Sequence, residues 1–347
     1  MEKYALLEEV GSGSFGVVWK AYNTQTGEIV AIKNLFTLNK SWEVEVEALY
    51  KFNNHPNIVS LKELSIQENN DTASMVFEYM ECNLFECMMK RKIPFSEAEI
   101  KQICIQVFLG LAHMHHNGYF HRDLKPDNLL VSGNGTVKIG DMGSARDTKN
   151  TLPLEHEITT HWYRAPEVFL RSQKYDSKVD MWAMGAIMAE LFSYTPLFEG
   201  LTNSDVMDKH CSVLGTPTEE TWSEGLDLAR NLYYKFPKDV AGVPFSELLP
   251  NASQAAVNLI ASLLSWDPKD RPTAMEALRH PFFRDCYHPP IPPTIYYNSF
   301  PSVFLKAMKR EGMKGISTRI PFKSSRRECG QIYIGSVKLP VIPNLTF

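Results

Sequence analysis

Short runs of alternating apolar and polar residues occupy most of the first eighty positions, a pattern typical of β-strands. Two of these runs, over residues 17–22 and 28–33, flank the polar segment Thr24-Gln25-Thr26-Gly27, which predicts a hairpin. A short helix is expected over residues 42–51, and an apolar strand over residues 75–80 leads into a hinge. The first part of the chain is therefore predicted to be mostly β.

Beyond residue 80 the apolar period becomes helical. Residues 98–116 repeat apolar side chains at spacings of three and four, and residues 179–192 and 254–264 predict further core helices. These elements predict an α+β fold that is mostly β over residues 1–80 and mostly α beyond.

The C-terminal tail over residues 285–347 differs from the rest in charge. It loses periodicity among paired prolines and carries nine Lys/Arg against three Asp/Glu, whereas the 347-residue chain has a net charge of −4. Such a segment does not easily build a core of its own. The modest overall charge indicates no bulk attraction to nucleic acid or to an anionic membrane.

Targeting and redox features are few. The chain begins without the apolar stretch of a signal peptide, and no apolar run is long enough to span a bilayer. Its six cysteines are scattered without zinc-site spacing, so we expect a reducing compartment, the cytoplasm or the nucleus. His113, His115, His116 and His121 crowd together, but no carboxylate or cysteine completes a metal set, so zinc is disfavoured.

Five motifs follow one another in order between residues 11 and 167. They are Gly11-Ser12-Gly13-Ser14-Phe15-Gly16, Val30-Ala31-Ile32-Lys33, His121-Arg122-Asp123, Asp141-Met142-Gly143 and Ala165-Pro166-Glu167. A lone G-x-G-x-x-G is weak, because dinucleotide-binding folds use it too. Here, however, Gly16 leads into a β-branched strand rather than a helix, and no P-loop motif occurs. The joint set matches the signature of eukaryotic protein kinases.

This chemistry, phosphoryl transfer, depends on positioning and on neutralising charge. The three motif glycines let backbone N–H groups approach the phosphates of ATP without a Cβ in the way. Lys33 is expected to contact the α- and β-phosphates and to be fixed by a carboxylate on the following helix. Glu45 is preferred for that role, while Glu43 and Glu47 stay open as alternatives.

The remaining catalytic positions lie in or just after the third motif and in the fourth. Asp123 is expected to orient the substrate hydroxyl and to accept its proton. Asn128 and Asp141 are expected to hold Mg²⁺, which prefers hard oxygen ligands.

The chain resembles the CMGC group of serine/threonine kinases, and within it the RCK subfamily of male germ cell-associated kinase, intestinal-cell kinase and MOK. The residues that carry this resemblance include the long insert near residues 196–245, Trp162-Tyr163-Arg164, Trp266-Asp267-Pro268 and Arg271-Pro272-Thr273. The resemblance covers about residues 1–284 and implies a bilobal eukaryotic protein kinase fold, with a small, mostly β N-lobe over residues 1–80 and a larger, mostly α C-lobe over residues 81–284.

The resemblance also implies where ATP and substrate bind. ATP would lie between the lobes under a hinge at residues 78–80, with Lys125 on the γ-phosphate and proline following the target serine or threonine. The nucleotide would be bound by Lys33 together with the positions Val10, Gly11, Gly13, Gly16, Val18, Ala31, Phe77, Glu78, Met80 and Leu130.

The activation segment departs from the subfamily. Where RCK kinases carry Thr-x-Tyr, this chain has Glu155-His156-Glu157, and His161 replaces the arginine expected before Trp162. We expect the glutamates to supply permanently part of the charge that a phosphate would bring, beside Thr159, Thr160 and Arg164. The alternative is that they are solvated loop charges and that Thr151, Thr159 or another residue takes the phosphate.

Two functions from different classes fit these residues. The first is a kinase that uses ATP and Mg²⁺ to phosphorylate serine or threonine in proteins at Ser/Thr-Pro sites. The second is a pseudokinase or scaffold, although such proteins usually lose Lys33, Asp123 or Asp141, which are all present. A regulatory partner on the insert or the tail is left open, and ciliary association is implied only by the resemblance.

Overall fold

A five-stranded antiparallel sheet forms the first part of the chain, in the order β1-β2-β3-β5-β4. The computed structural model describes residues 1–13, 16–37, 40–67, 72–149 and 161–286. The strands are β1 (Tyr4–Gly13), β2 (Gly16–Asn23), β3 (Ile29–Leu35), β4 (Leu61–Gln67) and β5 (Thr72–Glu78). The predicted hairpin is confirmed between β2 and β3. In its turn Gly27 has φ 77°, and the Asn23 side chain accepts hydrogen bonds from the backbone N–H groups of Gln25 and Thr26.

Both faces of the sheet bury apolar side chains. Val30 and Ile32 on β3 are buried against Val76 on β5. Because side chains alternate along a strand, Ala31 and Lys33 lie on the opposite face. Helix α1 (Lys40–Phe52) has buried Val46, Leu49 and Phe52 among its apolar residues. Lys33 thus lies on the face that also carries buried Leu35, Met75 and Phe77.

Helices dominate the second part. They are α2 (Leu84–Lys90), α3 (Glu97–His116), α4 (Pro166–Phe169), α5 (Lys178–Ser193), α6 (Asn203–Leu214), α7 (Glu219–Asn231), α8 (Phe245–Leu248), α9 (Gln254–Leu263) and α10 (Ala274–Leu278). Two small sheets add β6 (Cys82–Asn83), β7 (Tyr119–Phe120), β8 (Leu129–Val131), β9 (Val137–Ile139) and β10 (Arg146–Asp147). This arrangement confirms the α+β, bilobal fold class.

The long central helices begin and pack as their sequences require. A capping box at Ser96 and Glu99 starts α3, because the two side chains satisfy backbone N–H groups that the first turn leaves unpaired. Helix α5 is buried at every residue from Val179 to Leu191 and only partly exposed at its ends, as expected of a helix that is apolar all round. Its buried acidic residues, Asp180 and Glu190, are therefore exceptions that need partners.

Two features were not anticipated from the sequence. The segment near residues 196–245 contains the mostly polar helices α6 and α7, held to the core by Trp222, which stacks on Trp266 with ring centroids 5.7 Å apart. The sulfur atoms of Cys82 and Cys87 are placed as a disulfide, with Cα atoms 6.5 Å apart, although the expected reducing compartment favours free thiols.

Among the described residues, no helix combines the length and apolarity needed to cross a membrane.

Candidate active site

The ion pair between Lys33 and Glu45 joins β3 to α1. Lys33 Nζ lies 2.7 Å from Glu45 Oε1 and 2.8 Å from Oε2, so of the three glutamates left open by the sequence it is Glu45 that pairs with the lysine. Asp141 Oδ1 lies 3.9 Å from the same ammonium. Burial works against the charged lysine, but the carboxylates of Glu45 and Asp141 hold the pKa of Lys33 above its ordinary value. Lys33 is therefore a fixed, charged cation.

The glycine-rich turn lies between β1 and β2. Gly13 and Gly16 face each other across the two strands, and Ser14 and Phe15 between them lie outside the described residues. A Cβ on Gly16 would lie 2.1 Å from the Asn34 backbone oxygen, so only glycine fits there. Gly16 therefore lies close against the backbone of the neighbouring strand β3, next to the residue that follows Lys33.

Asp180, a buried residue of α5, binds the backbone of the catalytic loop, the segment that contains His121, Arg122 and Asp123. Its carboxylate accepts hydrogen bonds from the backbone N–H groups of His121 (2.8 Å) and Arg122 (2.9 Å). Arg122 has φ 73°, a left-handed conformation that costs a non-glycine residue free energy. The buried aspartate helps offset that cost and so fixes the loop immediately before Asp123.

Asp123 is surrounded by the other predicted residues of its loop. Lys125 Nζ lies 3.2 Å from Asp123 Oδ2, and Asn128 Nδ2 donates to the Asp123 backbone oxygen at 2.7 Å and to Oδ2 at 3.1 Å. Burial raises the pKa of Asp123, with Lys125 acting in the opposite direction. The amide nitrogen of Asn128 is thus used to orient the aspartate, and its oxygen is the atom that could face a cation.

Asp141 begins the next turn in a left-handed conformation, with φ 51°. It is followed by Met142, which is fully buried, as expected for the apolar residue of this motif. His121 Nε2 bonds the backbone oxygen of Gly140 at 2.9 Å, which ties the residue before Asp141 to the catalytic loop. This hydrogen bond therefore links the segment that carries Asp123 to the segment that carries Asp141.

Most of the positions expected to bind the nucleoside lie on strands of the five-stranded sheet, while Leu130 lies on β8 of the three-stranded sheet. Ala31 pairs with Phe77 across β3 and β5, and Glu78 ends β5 before the irregular segment that includes Met80. The Glu78 carboxylate accepts from Lys138 Nζ and from Ser60 N, each at 2.8 Å. Val10, Gly11 and Val18 lie on β1 and β2, and Leu130 lies on β8.

The end of the activation segment is anchored to the helical part, although Glu155, Glu157, Thr159 and Thr160 lie outside the described residues. Tyr163 donates its hydroxyl to Glu190 at 2.7 Å. Glu167 accepts from both terminal nitrogens of Arg271 at 2.6 and 2.8 Å. Arg164 is buried, with its guanidinium 5.2 Å from the Phe169 ring centroid.

Sequence reasoning missed Asp180 and Glu190, and it picked out Arg271 without finding its partner Glu167. The one signal that could have found the two acids is their place in an otherwise apolar helix, because a buried charge needs a partner. The side chains of the clustered histidines have different partners: His115 bonds Asp180 at 2.8 Å, His121 bonds the Gly140 backbone oxygen, and His113 stacks on His55. Within the described ranges, no group of three or more His, Cys, Asp or Glu side chains could hold a metal ion.

An antiparallel sheet that carries a glycine-rich turn and an ion-paired lysine, above a helical part that presents Asp123 and Asp141, is the architecture of a protein kinase. The protein kinase domain family matches residues 4–283, and the chain belongs to that family. Its relatives place it among serine/threonine kinases of the RCK subfamily of the CMGC group.

Three relatives illustrate this placement. Cyclin-dependent kinase F-4 of Oryza sativa subsp. japonica is 48% identical over 322 residues, which cover 91% of this chain and 68% of the rice protein. Cyclin-dependent kinase F-3 of the same organism is 48% identical over 292 residues, 82% of this chain and 65% of its own length. Serine/threonine-protein kinase MAK of Mus musculus is 44% identical over 289 residues, 82% of this chain but 46% of the mouse protein.

Proposed function

We propose that this chain transfers the γ-phosphoryl group of ATP, with Mg²⁺, to serine or threonine hydroxyls of proteins at sites followed by proline. The observation that carries the proposal is the convergence of Lys33, Glu45 and Asp141, with 2.7 Å between Lys33 and Glu45 and 3.9 Å between Lys33 and Asp141. The preference for proline rests on the resemblance to CMGC kinases.

Each residue of the site has a defined task in this reaction. Lys33, held by Glu45, binds the α- and β-phosphates as a point charge. Asp123 orients the substrate hydroxyl and accepts its proton, and burial favours this because it raises the pKa of the carboxyl. Lys125, 3.2 Å from Asp123, offsets negative charge where the γ-phosphate would approach the hydroxyl.

Asn128 and Asp141 are the residues that would hold Mg²⁺. They offer an amide oxygen and a carboxylate, the hard ligands that magnesium prefers. Magnesium usually takes only one or two carboxylates from the protein and completes its shell with phosphate oxygens and waters, so a site with few protein ligands fits this ion. When bound, it neutralises charge on the phosphates.

The proposal is tested with purified protein, Mg-ATP and a peptide library in which the residue after serine or threonine varies. We expect Asp123→Asn to lower turnover by about a hundredfold or more, because a general base typically contributes that much. Asp239→Asn, at an exposed site in the insert, is the matched control and should behave as wild type. Equal turnover of wild type and Asp123→Asn would refute the assignment. Activity without a preference for proline would refute only the specificity.

We further propose that Glu155 and Glu157 make this kinase active without dual phosphorylation. A phosphate on an activation segment adds about −1.5 to −2 charges and pairs with arginines, and two glutamates supply a similar total permanently. The support is the sequence itself, in which the tyrosine is absent and His161 stands where the subfamily has the arginine that precedes Trp162.

This regulatory proposal has its own test. Protein shown by mass spectrometry to carry no phosphate on the segment is assayed before and after the paired change of Glu155 and Glu157 to glutamine. We expect clear activity in the wild type and a reduced rate in the variant. The same paired change at exposed Glu219 and Glu220 serves as the control. An inactive unphosphorylated wild type rescued by an upstream kinase would refute the proposal, and so would a fully active Gln variant.

A further inference from the structure

Helix α1 is bound from two sides by two different glutamates. Glu45 pairs with Lys33 of the sheet, while Glu47 Oε1 accepts a hydrogen bond of 2.9 Å from the hydroxyl of Tyr119 on β7. An α-helix turns about 100° per residue, so side chains two positions apart lie on nearly opposite sides. The helix that carries Glu45 is therefore held between the N-terminal sheet and a strand of the helical part.

Further contacts surround the Tyr119 ring. Lys51 lies one turn after Glu47 on the same side of α1, with its ammonium 4.1 Å from the ring centroid. The same ammonium donates to the Asn117 backbone oxygen at 3.1 Å. Phe52 meets the ring edge-on, with centroids 5.4 Å apart. Three residues that contact Tyr119 (Glu47, Lys51 and Phe52) thus come from the last two turns of α1.

Tyr119 is well suited to hold the helix because it is itself fixed. It is buried, with 4% of its surface exposed, and its backbone pairs with Asp147 of β10. Burial raises the pKa of the Tyr119 hydroxyl, and the carboxylates of Glu47 and Asp147 add to this, so the group remains a donor. Tyr119 also lies two residues before His121, at the start of the catalytic loop.

We propose that the Tyr119 hydroxyl is a positioning group that holds α1 in the position in which Glu45 reaches Lys33. The chain holds the helix in this position without a second protein. The inference rests on the proposed kinase function, because the consequence of seating α1 is a fixed Lys33 at the nucleotide. It assigns to Glu47 a role distinct from that of Glu45: Glu45 holds the lysine, and Glu47 holds the helix.

The substitution that removes only the hydroxyl is Tyr119→Phe, which keeps the ring and its contacts with Lys51 and Phe52. We expect kcat to fall about three- to tenfold and KM for ATP to rise, with KM for peptide unchanged, since the loss of one hydrogen bond to a charged group acts through Lys33. Glu47→Ala should give a similar loss, and the double variant should be little worse than either single one. The matched control is Tyr4→Phe, which removes a similar 2.8 Å hydrogen bond between Tyr4 on β1 and Glu63 on β4 of the five-stranded sheet.

Amide hydrogen exchange gives a readout that does not depend on activity. In Tyr119→Phe the amides of α1 should exchange faster than in wild type, while Tyr4→Phe leaves them unchanged. A wild type without kinase activity would refute the proposed function, and exchange in α1 would still decide whether Tyr119 seats the helix. If Tyr119→Phe matched Tyr4→Phe both in α1 exchange and in the ratio of the two KM values, the inference would be overturned.

Discussion

Glu190 should make the stability of this protein depend on pH near neutrality, and Glu190→Gln should remove that dependence. The carboxyl is 2% exposed inside α5 and accepts one hydrogen bond, from Tyr163. Burial raises the pKa of Glu190 to about 7, with the charge of Asp127 adding to it and the Tyr163 hydroxyl opposing it. Glutamine has the same shape and keeps an oxygen for Tyr163, but it does not titrate.

The sign follows from the protons bound in each state. Between the ordinary value near 4.5 and the folded value near 7, the folded carboxyl keeps a proton that the unfolded chain has released. The free energy of unfolding therefore falls as pH rises through this window, and the loss is complete above about pH 7. At about 1.4 kcal/mol per pKa unit, Glu190→Gln should gain roughly 2–3 kcal/mol over wild type between pH 5 and pH 8.

The assay is urea unfolding of wild type and variant at a series of pH values, with the difference in free energy taken at each one. Other titrating groups are common to both proteins and cancel in that difference. Glu247→Gln, at an exposed position of α8, controls for the loss of a charge and should give a flat difference. A difference for Glu190→Gln that stays constant from pH 5 to pH 8 would refute the reasoning.

Three more expectations concern contacts seen in the structure and the tail. Arg271→Met leaves buried Glu167 without its bidentate partner and should cost about 3–5 kcal/mol, measured by urea unfolding. Gly16→Ala places a Cβ 2.1 Å from the Asn34 oxygen, so we expect a lower melting temperature and a raised KM for ATP. Ending the chain after Arg284 should leave nucleotide affinity and melting temperature unchanged, by calorimetry, and a large loss would show that the tail belongs to the domain.

The sequence predicts best what is local. Each motif is a short run with its own backbone requirement, so the hairpin between β2 and β3, the helix α3 and the fold class followed from periodicity and spacing. The choice of Glu45 was left open because Glu43 and Glu47 lie on the same short helix. Only the rotation of α1 decides which glutamate faces Lys33, and tertiary contacts set that rotation.

Contacts between distant positions could not be predicted in this way. The Tyr119–Glu47 hydrogen bond joins residues 72 positions apart, and the Arg271–Glu167 ion pair joins residues 104 positions apart. Glu167 and Arg271 each belong to a short motif, but neither these motifs nor the sequence around Tyr119 and Glu47 indicates which side chain is the partner. Their pairing depends on how the elements pack, which one chain read by itself does not specify.

Helix α5 shows how packing decides the properties of chemically similar groups. Asp180 and Glu190 are both buried carboxyls on one helix, and burial alone would raise the pKa of each. Asp180, however, accepts hydrogen bonds from His115 and from two backbone N–H groups of the catalytic loop, and these hold its pKa below the ordinary value. Glu190 has one donor, Tyr163, and stays raised. Helix α5 therefore carries a charged carboxylate, Asp180, that binds the catalytic loop, and a titratable one, Glu190, that binds the end of the activation segment.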